Sequence, residues 1–242
     1  MSHQTSIQAI LVCQGVEYQA VCRGLRRVPS SINSVVPIPV GGNANSRFLP
    51  TSQYLQELLK LPKPRVLVMG LCGSLTPNYK AGEVVLYQKN IYQDNIDSSL
   101  QHKSCDRTFT CELDLLFQTK VPLVTALTSD RIICSADEKR HLHQILNAEV
   151  VDMEGFAILE FFEQTGVSVA MLRVVSDGCD RDILNLNSAL SPDGSLQPLA
   201  LTVAMLKQPI AATRLIRGSL QALKVLEEVT TFLFKHKLLQ IY

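Results

Sequence analysis

Short unbroken apolar runs alternate along this chain with stretches whose apolar positions recur every three or four residues. Ile7 to Val12 is the first such run, and Val16 to Leu25 has helical spacing. Ser34 to Val40 reads as extended, with Pro37 and Pro39 arguing for a sheet edge or a bend. Thr51 to Leu61 has helical spacing and stops before Pro62. Arg65 to Gly70 reads as a buried strand, because strands covered on both faces show continuous apolar runs. Glu83 to Tyr87, Pro122 to Leu127 and Ser168 to Val175 are further strands, and Ala136 to Leu146 and Met153 to Gln164 are helices. The polar, weakly patterned region from Gln88 to Phe109 reads as loops. Strands alternating with helices predict a single three-layer α/β/α domain over residues 1–242, with a mostly parallel or mixed twisted sheet.

The C-terminal part differs. Ser191-Pro-Asp-Gly194 is a turn signal, and helical segments follow at Leu196 to Lys207 and Ala211 to Phe234. Ile216, Leu220, Leu223, Leu226, Val229 and Leu233 form one apolar stripe, flanked by Arg214, Arg217, Lys224, Lys235 and Lys237. The segment 196–237 is expected to pack on the sheet, and a helix lying on a membrane surface is the minor alternative.

Composition narrows the function. A net charge of +1 argues against nucleic-acid binding through a broad basic field. The seven cysteines are scattered, with no CxxC or Cys/His cluster, so no metal or other cofactor is expected. Cys13, Cys72 and Cys179 lie beside strands and read as reduced thiols of a cytoplasmic protein. The first residues lack the basic and long apolar regions of a signal peptide, and no apolar run reaches the roughly 20 residues of a membrane span.

Candidate chemistry concentrates between Val150 and Asp177. Glu154 stands at the start of an apolar helix, and Asp177 at the carboxyl end of a strand, where open α/β sheets build ligand sites. Each acid also has a plain reading, Glu154 as a first-turn residue and Asp177 as a turn residue before Gly178. Glu17 reads either way as well, and Asp152 and Asp180 are further acids nearby. Gly70 and Gly73 form a glycine turn after a strand, which suits close approach of a ligand or simple turn geometry.

Taken in order, Glu17, Gly70-Leu-Cys-Gly-Ser-Leu75, Ser129-Asp-Arg-Ile-Ile133, Val151-Asp-Met-Glu154 and Arg173-Val-Val-Ser-Asp177 resemble the superfamily of purine nucleoside phosphorylases and methylthioadenosine/S-adenosylhomocysteine nucleosidases. The resemblance covers roughly residues 7–180. The tail is similar, more loosely, to the hopanoid-associated phosphorylases, in Ala189-Leu-Ser-Pro-Asp-Gly194, Lys207-Gln-Pro209 and the long last helix. The superfamily resemblance implies cleavage of a purine nucleoside's N-glycosidic bond, with adenine released from a 5′-modified adenosine that is either like methylthioadenosine and S-adenosylhomocysteine or like adenosylhopane; the expectation of an apolar 5′ group rests on the tail, on Phe156 and on the Leu-rich helices. Asp177 would protonate the purine at N7, Glu154 would bind the ribose hydroxyls, and Glu17 would activate water. Met153 would pack on the ribose; Gly70, Leu71, Cys72, Gly73, Ile132, Ile133, Asp152, Ser176 and Phe156 would line the site. The resemblance also implies a homo-oligomer, and the loop from Asn90 to Asp97 (Tyr92 included) is the candidate donor to a neighbouring site.

Two positions depart from the pattern. Ile132 stands where the nucleosidases place an aromatic, which removes base stacking. Val68 and the Gln14 to Gln19 stretch stand where the phosphorylases place arginines, which favours water over phosphate as the acceptor. Arg47, in the glycine-rich Gly41 to Arg47 loop, is the candidate phosphate contact, with a solvated surface arginine as its plainer reading. A phosphorylase and an inactive nucleoside-binding protein of the same fold remain alternatives. A dinucleotide enzyme is disfavoured, since no GxGxxG is present.

Overall fold

A computed structural model describes residues 7–28, 34–93, 99–185 and 198–238. In chain order the elements are β1 (Ala9–Cys13), α1 (Val16–Leu25), β2 (Ser34–Ile38), α2 (Gly42–Thr51), α3 (Gln53–Leu58), β3 (Arg65–Ser74), β4 (Val84–Tyr92) and β5 (Gln101–Ser104). They continue with α4 (Arg107–Leu116), β6 (Leu123–Thr128), α5 (Ala136–Leu146), β7 (Val150–Asp152), α6 (Gly155–Phe162), β8 (Ser168–Asp177), α7 (Pro198–Lys207) and α8 (Pro209–Leu238).

The eight strands form one mixed sheet in the order β2-β1-β3-β7-β6-β4-β5, with β8 paired to both β3 and β4. These pairings close part of the sheet on itself. β3 pairs with β8, β8 with β4, β4 with β6, β6 with β7, and β7 returns to β3. β2 is an edge strand, which tolerates Pro37 because a proline has no amide proton to give a second neighbour.

Alternation along the central strands separates two cores. Ala9, Leu11, Val66, Val68, Val169 and Met171 face one side, where Leu49, Leu55 and Ile158 of the helices α2, α3 and α6 cover them. Ile10, Val12, Leu67, Met69, Ala170 and Leu172 face the other, under α1, α4 and α8. This is the layered α/β arrangement expected from the sequence. Both faces are dry, so these strands read as solid apolar runs.

Several elements differ from the sequence expectation. Gly42–Thr51 is a helix, so Arg47 lies on α2 and not in a loop; its polar Asn-Ala-Asn-Ser run hid one short buried face of Asn45 and Leu49. β3 continues through the glycines to Ser74, because Gly73 and Ser74 pair with β7. The Gln88–Phe109 region holds the end of β4, all of β5 and the start of α4. β5 is a polar edge strand, and an outer strand needs no apolar run. Asn90 and Tyr92 are therefore strand residues, while residues 94–98 and 186–197, on which the expected turn at Ser191 to Gly194 falls, lie outside the described residues.

The stripe on α8 is half as expected. Leu223, Leu226, Val229 and Leu233 are buried, but Ile216 and Leu220 are exposed. In that half the inward face consists of small residues. Ala212 and Ala222 are buried, and a Cβ at Gly218 would lie 2.2 Å from the Ser176 carbonyl oxygen. Close backbone approach selected by small side chains leaves no trace in a stripe of large ones. Among the described residues no helix is long and apolar enough to cross a membrane.

α8 also presses on α1 at Gly24, where an added Cβ would lie 2.5 Å from the Glu227 carbonyl oxygen. Gly24→Ala gains helix propensity of up to about 1 kcal/mol. Overpacking against backbone costs about 1–3 kcal/mol, so the substitution should be net destabilising. Thermal denaturation should show a melting temperature several degrees lower; an unchanged or higher value would mean that the two helices are not in this contact.

Candidate active site

A cavity of about 230 Å³ opens where β3, β7 and β8 end and α1 begins. Glu17, Leu71, Cys72, Gly73, Ile132, Ile133, Asp152, Met153, Glu154, Ser176 and Asp177 all line it. Cys13, Val40, Ile183 and Leu215 of α8 complete its apolar wall. Residues more than a hundred positions apart meet here because β3 lies parallel to β8, so both carboxyl ends reach one place.

Three of the sequence candidates are placed elsewhere. Gly70 lies just beneath the cavity. Phe156 is buried on α6 with its ring 5.2 Å from that of Tyr92, and it does not line the cavity. Arg47 is exposed on α2, and its Nε donates to the Asn43 carbonyl of its own helix. It is not among the residues that line the cavity.

Beneath the floor lies a residue to which the sequence reading gave no role. Arg173 is fully buried in β8, at a position whose neighbours Met171 and Val175 are core residues. Its Nη2 donates to Asp152 Oδ2 at 3.4 Å and lies 3.7 Å from Glu154 Oε2. A Cβ at Gly70 would be 2.4 Å from both Arg173 Nη1 and Glu17 Oε2, so only glycine admits both. The guanidinium therefore faces Asp152, Glu154 and Glu17 together. An arginine inside a buried strand run was the available signal, since an unpaired buried charge is prohibitively costly.

Backbone and hydroxyl donors aim the acids. Glu17 Oε2 accepts from the Leu71 amide at 2.9 Å, and Glu154 Oε1 from the Gly41 amide at 3.0 Å. Asp152 Oδ1 accepts from the Thr128 hydroxyl at 2.8 Å. Burial pushes the Glu154 carboxyl up to about 7, opposed by Arg173 and reinforced by the charges of Asp152 and Glu17. Burial likewise raises the Glu17 carboxyl, with Arg173 and the Leu71 amide opposing it. Burial, then the charges of Glu154 and Glu17, hold Cys13 as a neutral thiol.

Asp177 is held differently. The Ser176 hydroxyl lies 2.6 Å from Asp177 Oδ1 and 3.1 Å from the Cys72 carbonyl oxygen. A hydroxyl has one proton, so it cannot donate to both. Asp177 Oδ2 accepts from Lys139 Nζ, a second buried cation that the sequence reading passed over. Lys139 shares a face of α5 with Ala136 and Leu142, and a lysine in an apolar stripe was the missed signal.

The arrangement offers carboxylates on two sides of one cavity. Glu17 and Glu154 sit over Arg173, and Asp177 stands apart with its own donors. Such separation suits a proton acceptor at one end and a proton donor at the other. Among the described residues no group of histidine, cysteine and acidic side chains is arranged to hold a metal ion.

Comparison with known proteins bears on the fold and the family. A search of curated proteins finds no match. Among solved structures, the S-adenosylhomocysteine nucleosidase of Streptococcus pyogenes, in complex with 5-methylthiotubericidin, is 14% identical, with a TM-score of 0.63 over 97% of this chain and 99% of that one. A mutant Helicobacter pylori nucleosidase with 5′-methylthioadenosine in its active site is 14% identical, with a TM-score of 0.61 over 93% and 98%. A mutant of the Helicobacter pylori futalosine hydrolase is 16% identical, with a TM-score of 0.56 over 84% and 98%. At these identities the likeness is one of fold. The family profile described as the phosphorylase superfamily matches residues 50–205, a span that runs from the end of α2 through the whole of β3 and β8 into α7. With more than half of its length so matched, the chain belongs to the phosphorylase superfamily.

Proposed function

We propose that the protein is a nucleosidase that hydrolyses the N-glycosidic bond of a purine nucleoside, releasing adenine from a 5′-modified adenosine. The observation that carries this is the buried set of Glu17, Asp152 and Glu154 on Arg173, across one cavity from Asp177. As the bond to C1′ breaks, the sugar gains oxocarbenium character and the purine gains electrons. Asp177 gives its proton to N7, so that the base leaves neutral. Glu154 accepts hydrogen bonds from the ribose hydroxyls and stabilises the positive sugar. Glu17 takes a proton from the water that attacks C1′.

Water is favoured over phosphate by the charge balance. Three acids surround one guanidinium at the Glu17 end, and an incoming phosphate would meet a surplus of negative charge there. Arg131 lines the cavity, but it pairs with Glu138. Ile183 and Leu215 support an apolar 5′ group of the kind suggested by the tail's resemblance. The solved relatives with 5′-methylthioadenosine and 5-methylthiotubericidin bound agree with this substrate class.

Three outcomes follow from these roles. Purified protein should release adenine from methylthioadenosine or a longer 5′-alkyl analogue without phosphate, measured by chromatography; release that requires phosphate would make it a phosphorylase. Asp177→Asn should lower kcat by about 10²–10⁴-fold while nucleoside affinity, measured by calorimetry, changes little. Glu17 and Glu154 must be ionised to act, and both are raised, so kcat/KM should fall as pH drops through neutrality. A limb in the ordinary carboxylate range, near about 4.3, would contradict their assigned roles.

A further inference from the structure

Lys139 projects from α5 with a side chain only 1% exposed. Its acceptors among the described residues are Asp177 Oδ2 and, at 3.0 Å, the Gly178 carbonyl oxygen. An ammonium removed from water costs several kcal/mol unless it is paired.

Its aim is fixed from both ends. The Ala136 amide at the start of α5 donates to Asp182 Oδ1 at 2.8 Å, the Ile183 amide donates to the Cys134 carbonyl at 3.0 Å, and Arg140 donates to the Cys179 carbonyl. The helix is thereby stitched to the segment that follows β8. Lys139 and Ser176 grip one carboxyl oxygen of Asp177 each, which sets the plane of the group. Lys139 does not line the cavity, so it reaches the reaction only through Asp177.

We propose that Lys139 is a positioning residue for purine departure: it orients the Asp177 carboxyl and neutralises the carboxylate left when the proton passes to N7. The inference rests on the role given to Asp177 above. In the step, the electron pair of the C1′–N9 bond goes to the purine, the Asp177 proton goes to N7, and water adds to C1′ with its proton passing to Glu17. Negative charge grows on Asp177 as that proton leaves, and a fixed cation beside growing charge lowers the barrier most in a dry site. A substrate whose leaving group departs as a stable anion needs no such proton.

The test compares a purine nucleoside with a 4-nitrophenyl riboside for the wild type, Lys139→Met, Asp177→Asn and the double variant. Lys139→Met should lose roughly 10²-fold in kcat on the purine nucleoside with KM little changed. It should retain the wild-type rate on the nitrophenyl riboside, which also reports an intact fold. In the double variant the loss should match that of Asp177→Asn alone, because one residue acts through the other. Equal losses on both substrates, additive losses or no loss would each overturn the inference. If Lys139→Met does not fold, Lys139→Gln, which keeps a donor without the charge, is read by the same criteria. Wild-type protein that cleaves neither substrate would overturn the functional reading, and this inference with it.

Discussion

The buried guanidinium of Arg173 is the constraint around which this molecule is arranged. It is charged at every accessible pH, so its burial must be compensated locally. Asp152 supplies a hydrogen bond, and Glu154 and Glu17 supply charge. Burial, reinforced by the neighbouring carboxylates and opposed by the one cation, raises both glutamates, Glu154 to about 7. The compensation that makes the core tolerable thus also gives the cavity a carboxyl, that of Glu154, able to exchange its proton near pH 7. Gly70 is part of the same solution, for any side chain there would displace the guanidinium or Glu17.

Two cations of similar placement serve two different acids. Arg173 lies behind Glu17 and Glu154, and Lys139 lies behind Asp177. Neither lines the cavity; a ligand would meet the carboxylates and sense the cations through them. That division gives the acids of one pocket of about 230 Å³ different surroundings, as the roles proposed for them require.

Much of this was legible in the sequence. The bounds of α1 and α5 coincide with their apolar spacing, and β1, β3, β6 and β8 read as strands because both faces of the sheet are dry. Glu17, Met153, Glu154 and Asp177 lie on the cavity that the motif order implied. What escaped had no hydrophobic signature. α2 is polar, β5 is a polar edge strand, and the upper half of α8 packs through Ala212, Gly218 and Ala222. Arg173 and Lys139 escaped for a subtler reason. Each interrupts an apolar pattern, and in a linear reading an interruption looks like noise until its partner, distant in sequence, is known.

The closed circuit of strands has a consequence for how the protein is made. Arg65 is in register with Ser168, so the central pairing joins segments about a hundred residues apart. Contacts of such long range form slowly, because the intervening loop must lose its freedom before the pairing offsets that loss. During synthesis β3 and β4 emerge long before β8, the strand that bridges them. Until then two apolar strand edges stand open to any other extended chain. A nascent chain stopped before Asp177 would carry that hazard without a complete site. The last residue of β8 is therefore both the candidate acid of the cavity and the end of the segment that makes the growing chain safe from aggregation.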